Sequence, residues 1–277
     1  MVAKFSMVGP RDYTRTTLRR LDSLAGNQCS APDCTKPLMA KDGISIISKI
    51  CHIEAASKEG PRWNLNMTDD ERRGFDNLIL LCDECHTIID NKENESEYPA
   101  PLLKQWKKDH EERRTYKLLN ERPSLLSTVI GAVADIDLGS EETVVSGDVK
   151  AFEIEAKLDY NHIKRHRALI DEYKVFYTKV NSLYQTLERE GSFKKDNLLR
   201  NVRQVYLQVM GAYVGDSTSP MDLIQKNSDA IFDEVVETLT DKATEKYEGY
   251  EEDISFGVPI VAVDAFIRCK ILEEPAP

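Results

Sequence analysis

The spacing of apolar positions changes period several times along the chain, and each change predicts an element. In RDYTRTTLRRLDSLAG, Leu18, Leu21 and Leu24 share one helical stripe among basic residues, with Gly26 as the stop. A turn-rich stretch, NQCSAPDCTKPL, follows. GISIISKICHIEAA then alternates with period two and predicts a strand that ends at His52. The polar SKEGPRWNLNMTDDERRGFDN reads as a loop with one helical turn at its centre. LILLC predicts a second short strand, and CHTIIDNKEN a helix. Another helix is expected to start at Pro101, which suits a first turn, with Trp106 as its anchor to the core.

The second half has a different texture. Residues 123–155 mix glycines with small, acidic and β-branched residues and read as a connection. From Asp159, Leu169, Tyr173, Phe176, Val180, Leu183 and Leu187 recur at helical spacing until Gly191. Leu198 to Tyr213 repeat the pattern, and Ser219-Pro220 opens a further helix through Leu239. The expected organisation is therefore an α+β domain over residues 1–122, a linker over 123–157, and a mainly α-helical recognition or assembly domain over 158–277.

Composition narrows the class. With 41% hydrophobic and 31% charged residues the chain is expected to be soluble and globular. It lacks an apolar signal core at its start, so a cytoplasmic location is expected. The apolar FGVPIVAVDAFIRCKIL is too short for a membrane span and carries Asp264, Arg268 and Lys270, which predicts a buried or interface helix and no membrane association. Lys+Arg and Asp+Glu balance at 19 each over residues 1–120, so the whole net charge of −11 falls on the second half. An acidic second half is a poor grip for a polyanion, which leaves the first half as the one able to meet nucleic acid.

Four of the six cysteines form two close pairs. Cys29 and Cys34 lie on one knuckle and Cys82 and Cys85 on another, which in a reducing compartment favours metal ligation over disulfides. Four thiolates make a closed tetrahedral site, expected to hold structural Zn²⁺. Cys51 and Cys269 are left over. His86 and Asp90 stand four apart on the helix expected after Cys85, so they share a face and form half of an open, harder site for Mg²⁺, Mn²⁺, Ni²⁺ or Zn²⁺.

In order, CxxxxC, HI, GPR, DNLILLC and CxxCH with a trailing Asp resemble the HNH endonuclease family over roughly residues 24 to 92. The resemblance implies a ββα-metal nuclease core of two antiparallel strands and a helix, clamped by a four-cysteine zinc site. It implies His52 as general base, Asn77 as the residue that holds the base's loop, and His86 and Asp90 as ligands of the catalytic divalent metal. Cys51 departs from the acidic or His ligand often found before the base. It is either a softer third ligand or a core residue on an alternating strand. Arg62, in GPRWN, is either a bidentate clamp on the nucleic-acid backbone or a solvated loop arginine. Arg11, Arg15, Arg19, Arg20, Lys107, Lys108, Arg113 and Arg114 form a candidate basic rim, with solvation as the alternative.

Residues 158–275, with LDYNHIKRHRALIDEY, LYQTLEREGSFKKDNLLRNVRQVYL and VDAFIRCKILEEP, resemble a C-terminal helical domain of bacterial ABC-three-component systems. That resemblance implies an effector partnered by an ABC-type ATPase in an antiphage or conflict system, with homo-oligomerisation open. The joint expectation is a metal-dependent endonuclease acting on DNA, RNA not being excluded. The alternatives are a catalytically inactive zinc-containing adaptor and an RNA-cleaving toxin.

Overall fold

In a computed structural model the described residues are 9–138, 154–247 and 249–275. The chain divides into two compact units, Met1–Arg122 and Pro123–Pro277.

In the first unit, α1 (Arg15–Ala25) starts where the Thr14 hydroxyl accepts the Thr17 N–H at 3.1 Å. It stops where Gly26 turns left-handed at φ 57°, with Arg114 packed where a Cβ would stand. Strands β1 (Ser48–His52) and β2 (Leu78–Cys82) pair antiparallel, in register from Ser48 opposite Cys82 to His52 opposite Leu78. Every residue of β2 is buried, because α1 packs against it and α3 (Asp83–Asp90) follows it directly. A strand covered on both sides reads as an unbroken apolar run, which is what LILLC is. The loop between the strands holds one short turn of helix, α2 (Asp69–Arg72), started by a reciprocal Thr68–Glu71 capping box.

Helix α4 (Ala100–Glu121) has Pro101 in its first turn. Trp106 is not its anchor: it is only half-buried, edge-on to Tyr98 with ring centroids 5.7 Å apart. The buried stripe is Leu103, Lys107, His110, Glu111 and Leu118. Lys107 pairs with Glu111, and the Lys107 ammonium and Arg20 guanidinium each lie 3.4 Å from the centroid of the Phe75 ring. His110 donates to the Ala25 carbonyl at 3.0 Å. Arg20 and Lys107 are therefore interior residues and do not belong to a solvent-facing basic rim.

The second unit is helical. Leu125–Ala134, within the stretch expected to be a linker, form helix α5, and Asn201 donates to the Val133 carbonyl at 2.9 Å near its C-terminal end. The small, β-branched composition that reads as a connection is that of a mostly buried helix, exposed only at Ser127. The remainder of the expected linker, residues 139–153, lies outside the described residues. The single helix expected from Asp159 to Gly191 is instead α6 (Ile154–Tyr160), α7 (Arg167–Tyr173), a 3-10 turn, and α8 (Tyr177–Arg189). The break has a cause: His162 is left-handed at φ 55°, and the Asp229 carboxylate draws off the N–H groups of Lys164, Arg165 and His166 at 3.1–3.2 Å.

Helices α9 (Lys194–Val214) and α10 (Pro220–Lys246) complete the wall around α11 (Glu251–Ile267), which is buried from Phe256 to Phe266 and touches α5, α7, α8, α9 and α10. Within that core Asp264 accepts from Tyr184 at 3.0 Å and from Arg268 at 3.0 Å, so the two buried charges of the apolar segment are paired with each other. No helix among the described residues is long and apolar enough to cross a membrane. A Cβ on Gly257 would lie 2.5 Å from Val129 Cγ2 across the α5–α11 contact. Gly257→Ala is accordingly expected to destabilise this unit by about 1–3 kcal/mol, read as a lower midpoint in chemical denaturation. An unchanged midpoint would show that α5 and α11 are not packed this closely.

Candidate metal centre and adjoining cavity

The four cysteines are assembled by two pieces of local structure. Asn27, left-handed at φ 58°, accepts the N–H groups of Leu38 and Met39 at 3.1 and 2.8 Å through its side-chain oxygen, closing the knuckle that carries Cys29 and Cys34. The Ser30 N–H hitches this knuckle to the Leu80 carbonyl of β2 at 3.1 Å. Cys82 ends β2 and Cys85 sits in the first turn of α3. All four sulfurs lie within 4.8 Å of one another, and Cys34 and Cys82 are 3.9 Å apart. A tetrahedral ion with Zn–S bonds of about 2.3 Å holds its sulfurs about 3.8 Å apart, so the donors fit that group. The Cys29 sulfur also accepts the Cys82 N–H at 3.3 Å, as a thiolate ligand does. The four cysteines could hold a structural metal ion such as zinc.

Beside this cluster lies a cavity of about 430 Å³ whose wall includes His52, His86, Asp90, Arg11, Tyr13 and Lys49. A strand and a helix converge on it: His52 from the end of β1, His86 and Asp90 from one face of α3. The Nε2 of His86 and Oδ2 of Asp90 are 3.2 Å apart. Two ligands about 2.1 Å from a common ion and subtending 90–109° lie about 3.0–3.4 Å apart, so this pair fits a divalent cation as well as it fits a hydrogen bond. Cys85 and His86 being consecutive, one short helix serves both clusters.

His52 is held by its far nitrogen. Its Nε2 lies 2.9 Å from the Pro10 carbonyl oxygen, which can only accept, so Nε2 carries the proton and Nδ1 the lone pair. Burial holds its pKa below the usual imidazole value, and the positive charge of Arg11 acts in the same direction. Asn77, 2% exposed, grips the loop that follows His52: its Oδ1 accepts the Glu54 N–H at 2.8 Å, and its amide donates to the carbonyls of Glu54 and Arg72, each at 2.9 Å.

Arg62 is neither a phosphate clamp nor a solvated loop residue. It is 8% exposed, and its guanidinium donates to the carbonyls of Ile53 and Ile89, each at 2.7 Å, and to Asp90 Oδ1 at 3.4 Å. It ties the loop after β1 to the end of α3 and leaves Asp90 Oδ2 turned toward His86. Cys51 is 1% exposed and outside the cavity wall, with its thiol 3.6 Å from the Lys49 carbonyl, so it is a core residue. Pro10, Tyr13 and Arg72 were not singled out in the sequence, and nothing in its spacing marks them. Tyr13 packs 5.8 Å from the His52 ring, and Arg72 lies 3.5 Å over the Trp63 ring while donating to the Ala55 carbonyl at 2.7 Å.

C-terminal domain 10 of the ABC-three component (ABC-3C) systems matches residues 124–273, more than half of the chain, and the chain belongs to that family. The match begins at α5, ahead of the start at residue 158 that the helical pattern had suggested. This membership places the chain in a defence-system context. No curated protein and no solved structure matches it.

Proposed function

We propose that the first unit is an HNH-type, metal-dependent endonuclease that hydrolyses DNA phosphodiester bonds, and that the chain is the nuclease effector of an ABC-three component system. The observation that carries this reading is the convergence of His52, His86 and Asp90 on one cavity beside the four-cysteine cluster. Strand β1 and helix α3 supply them all, with β2 paired to β1 and leading directly into α3.

His52 takes, at Nδ1, the proton of the water whose oxygen bonds to phosphorus as the bond to the leaving oxygen breaks. The Pro10 carbonyl keeps the ring from rotating away and steadies the imidazolium that results. Asn77 fixes the loop beside the base without touching the reaction. His86 and Asp90 would hold a divalent ion, which would supply polarisation of the scissile phosphate and offset its growing charge. The helical domain supplies assembly with other components of the system, an ABC-type ATPase among them.

Conversion of supercoiled plasmid to nicked circles, with Mg²⁺, Mn²⁺, Ni²⁺ or Zn²⁺ in turn and with His52→Ala as the control, tests the reading. Nicking by the wild type alone supports it, and silence of the wild type with every ion, with and without the system's ATPase, overturns it. The pH profile adds a signed expectation. A base works only when neutral, and His52 has its pKa lowered, so the acid limb of the rate should have its midpoint below the ordinary imidazole value of about 6.5. A midpoint above that value would exclude His52 as the group that titrates.

A further inference from the structure

With Arg62 committed to backbone carbonyls, the nuclease site lacks the cation expected to hold its substrate's phosphate. Two cationic side chains line the cavity, Arg11 and Lys49. Lys49 faces Asp83 at 3.5 Å. Arg11 is exposed and has no hydrogen-bond or ion-pair partner among the described residues. Nearby arginines are otherwise engaged, Arg72 with the Ala55 carbonyl and Arg73 with Asp70.

An unpartnered arginine in a cavity wall would mean little on a loose strand, but the backbone on both sides of Arg11 is pinned. The Pro10 carbonyl is bonded to His52, the Gly9 N–H to the Asp12 carboxylate at 2.7 Å, and the Asp12 carbonyl accepts from Arg73 at 3.3 Å. Tyr13, two residues on, packs against the His52 ring. The same short segment therefore orients the base and places in the cavity wall, together with His52, His86 and Asp90, an arginine without a hydrogen-bond or ion-pair partner among the described residues. Planar and always charged, its guanidinium matches two non-bridging phosphate oxygens.

We infer that Arg11 grips the scissile phosphate of the DNA strand and seats it between His52 and the His86–Asp90 pair. The inference rests on the nuclease reading above, and it adds the substrate-holding residue that the sequence had offered at Arg62.

The test uses the full chain and two readouts. In the first, nicking of supercoiled plasmid is timed for the wild type, Arg11→Ala and Arg11→Lys. Loss of a charged hydrogen bond to the reacting phosphate should slow Arg11→Ala roughly 10- to 100-fold, with Arg11→Lys between it and the wild type because a point charge cannot make the paired contact. In the second, binding to a short DNA duplex is followed as salt is raised, without added divalent ions and without a chelator, so that the structural metal stays in place. Arg11→Ala should flatten the slope of log affinity against log salt by about 0.9, the mark of one lost phosphate contact, and Arg11→Lys should retain it. A merely structural role would not change that slope. Arg11→Ala with the wild-type rate and the wild-type slope overturns the inference. If the wild type does not nick, the nuclease reading fails, and the slope alone decides whether Arg11 meets phosphate.

Discussion

His52→Ala should lower the nicking rate by roughly 10²- to 10⁴-fold, the usual contribution of a positioned general base. The substitution removes the one side chain of the cavity that combines a free lone pair, a pKa shifted toward the neutral form, and a fixed orientation through Pro10. Its structural cost should be small, because the ring lines a cavity and, among the described residues, the only hydrogen bond lost is the one to the Pro10 carbonyl. Circular dichroism and bound-metal content should therefore match the wild type while the rate collapses. A His52→Ala chain that retained wild-type nicking would show that the proton goes elsewhere, and one that lost its metal as well would show that His52 is structural. His52→Gln, which can still donate to Pro10 but offers no basic nitrogen, should be as slow as the alanine variant.

Cys82→Ser is expected to unfold the first unit. Structural Zn²⁺ in small sites supplies about 10–16 kcal/mol of apparent binding energy, comparable to the whole stability of a domain at about 5–15 kcal/mol. Around the knuckle the first unit has little else to replace it: a two-stranded sheet and the eight-residue α3, with the knuckle of Cys29 and Cys34 joined to β2 by the Ser30 hydrogen bond and the thiol cluster itself. The expected result is one bound metal per wild-type chain, none in Cys82→Ser, and rapid proteolysis within residues 1–122 while residues from 123 onward resist digestion. Cys51→Ala is the matched control. It deletes a buried thiol that is not part of the cluster, so it should keep the metal and lose only the cost of a small cavity. Metal retained in Cys82→Ser, or lost in Cys51→Ala, would refute this assignment of ligands.

The lines of the first unit that could be read directly are those with a local cause. Alternation into His52, the apolar LILLC, the Leu18–Leu24 stripe ending at Gly26, and the helical turn at the centre of the polar loop each have causes within a few residues, and the structure shows an element at each. The two cysteine pairs were legible as one cluster because thiols at such spacings have few other uses in a reducing compartment. In the second unit the helical periods were legible and their interruptions were not. The carboxylate that ends the helical run near residue 164 comes from Asp229, 65 residues further along. α5 was read as a connection because a helix buried over most of its surface shows little amphipathic period to detect.

The sequence by itself thus determined the strands and helices of the first unit and the helical periods of the second apart from α5, that four thiols meet, and that His86 and Asp90 share a helical face. These follow from pleat, helical repeat and ligand spacing, all short-range. Only the tertiary structure decided how the long cationic side chains are spent. Arg62 and Lys107 turn inward to carbonyls and a buried carboxylate, Arg20 covers Phe75, and Arg11 is left facing the cavity. A guanidinium or ammonium on a flexible stem can reach any acceptor within several ångströms, so its role depends on which distant backbone groups the fold leaves unsatisfied. The same reason hid Pro10: any residue has a carbonyl, and only folding brings this one to the His52 nitrogen.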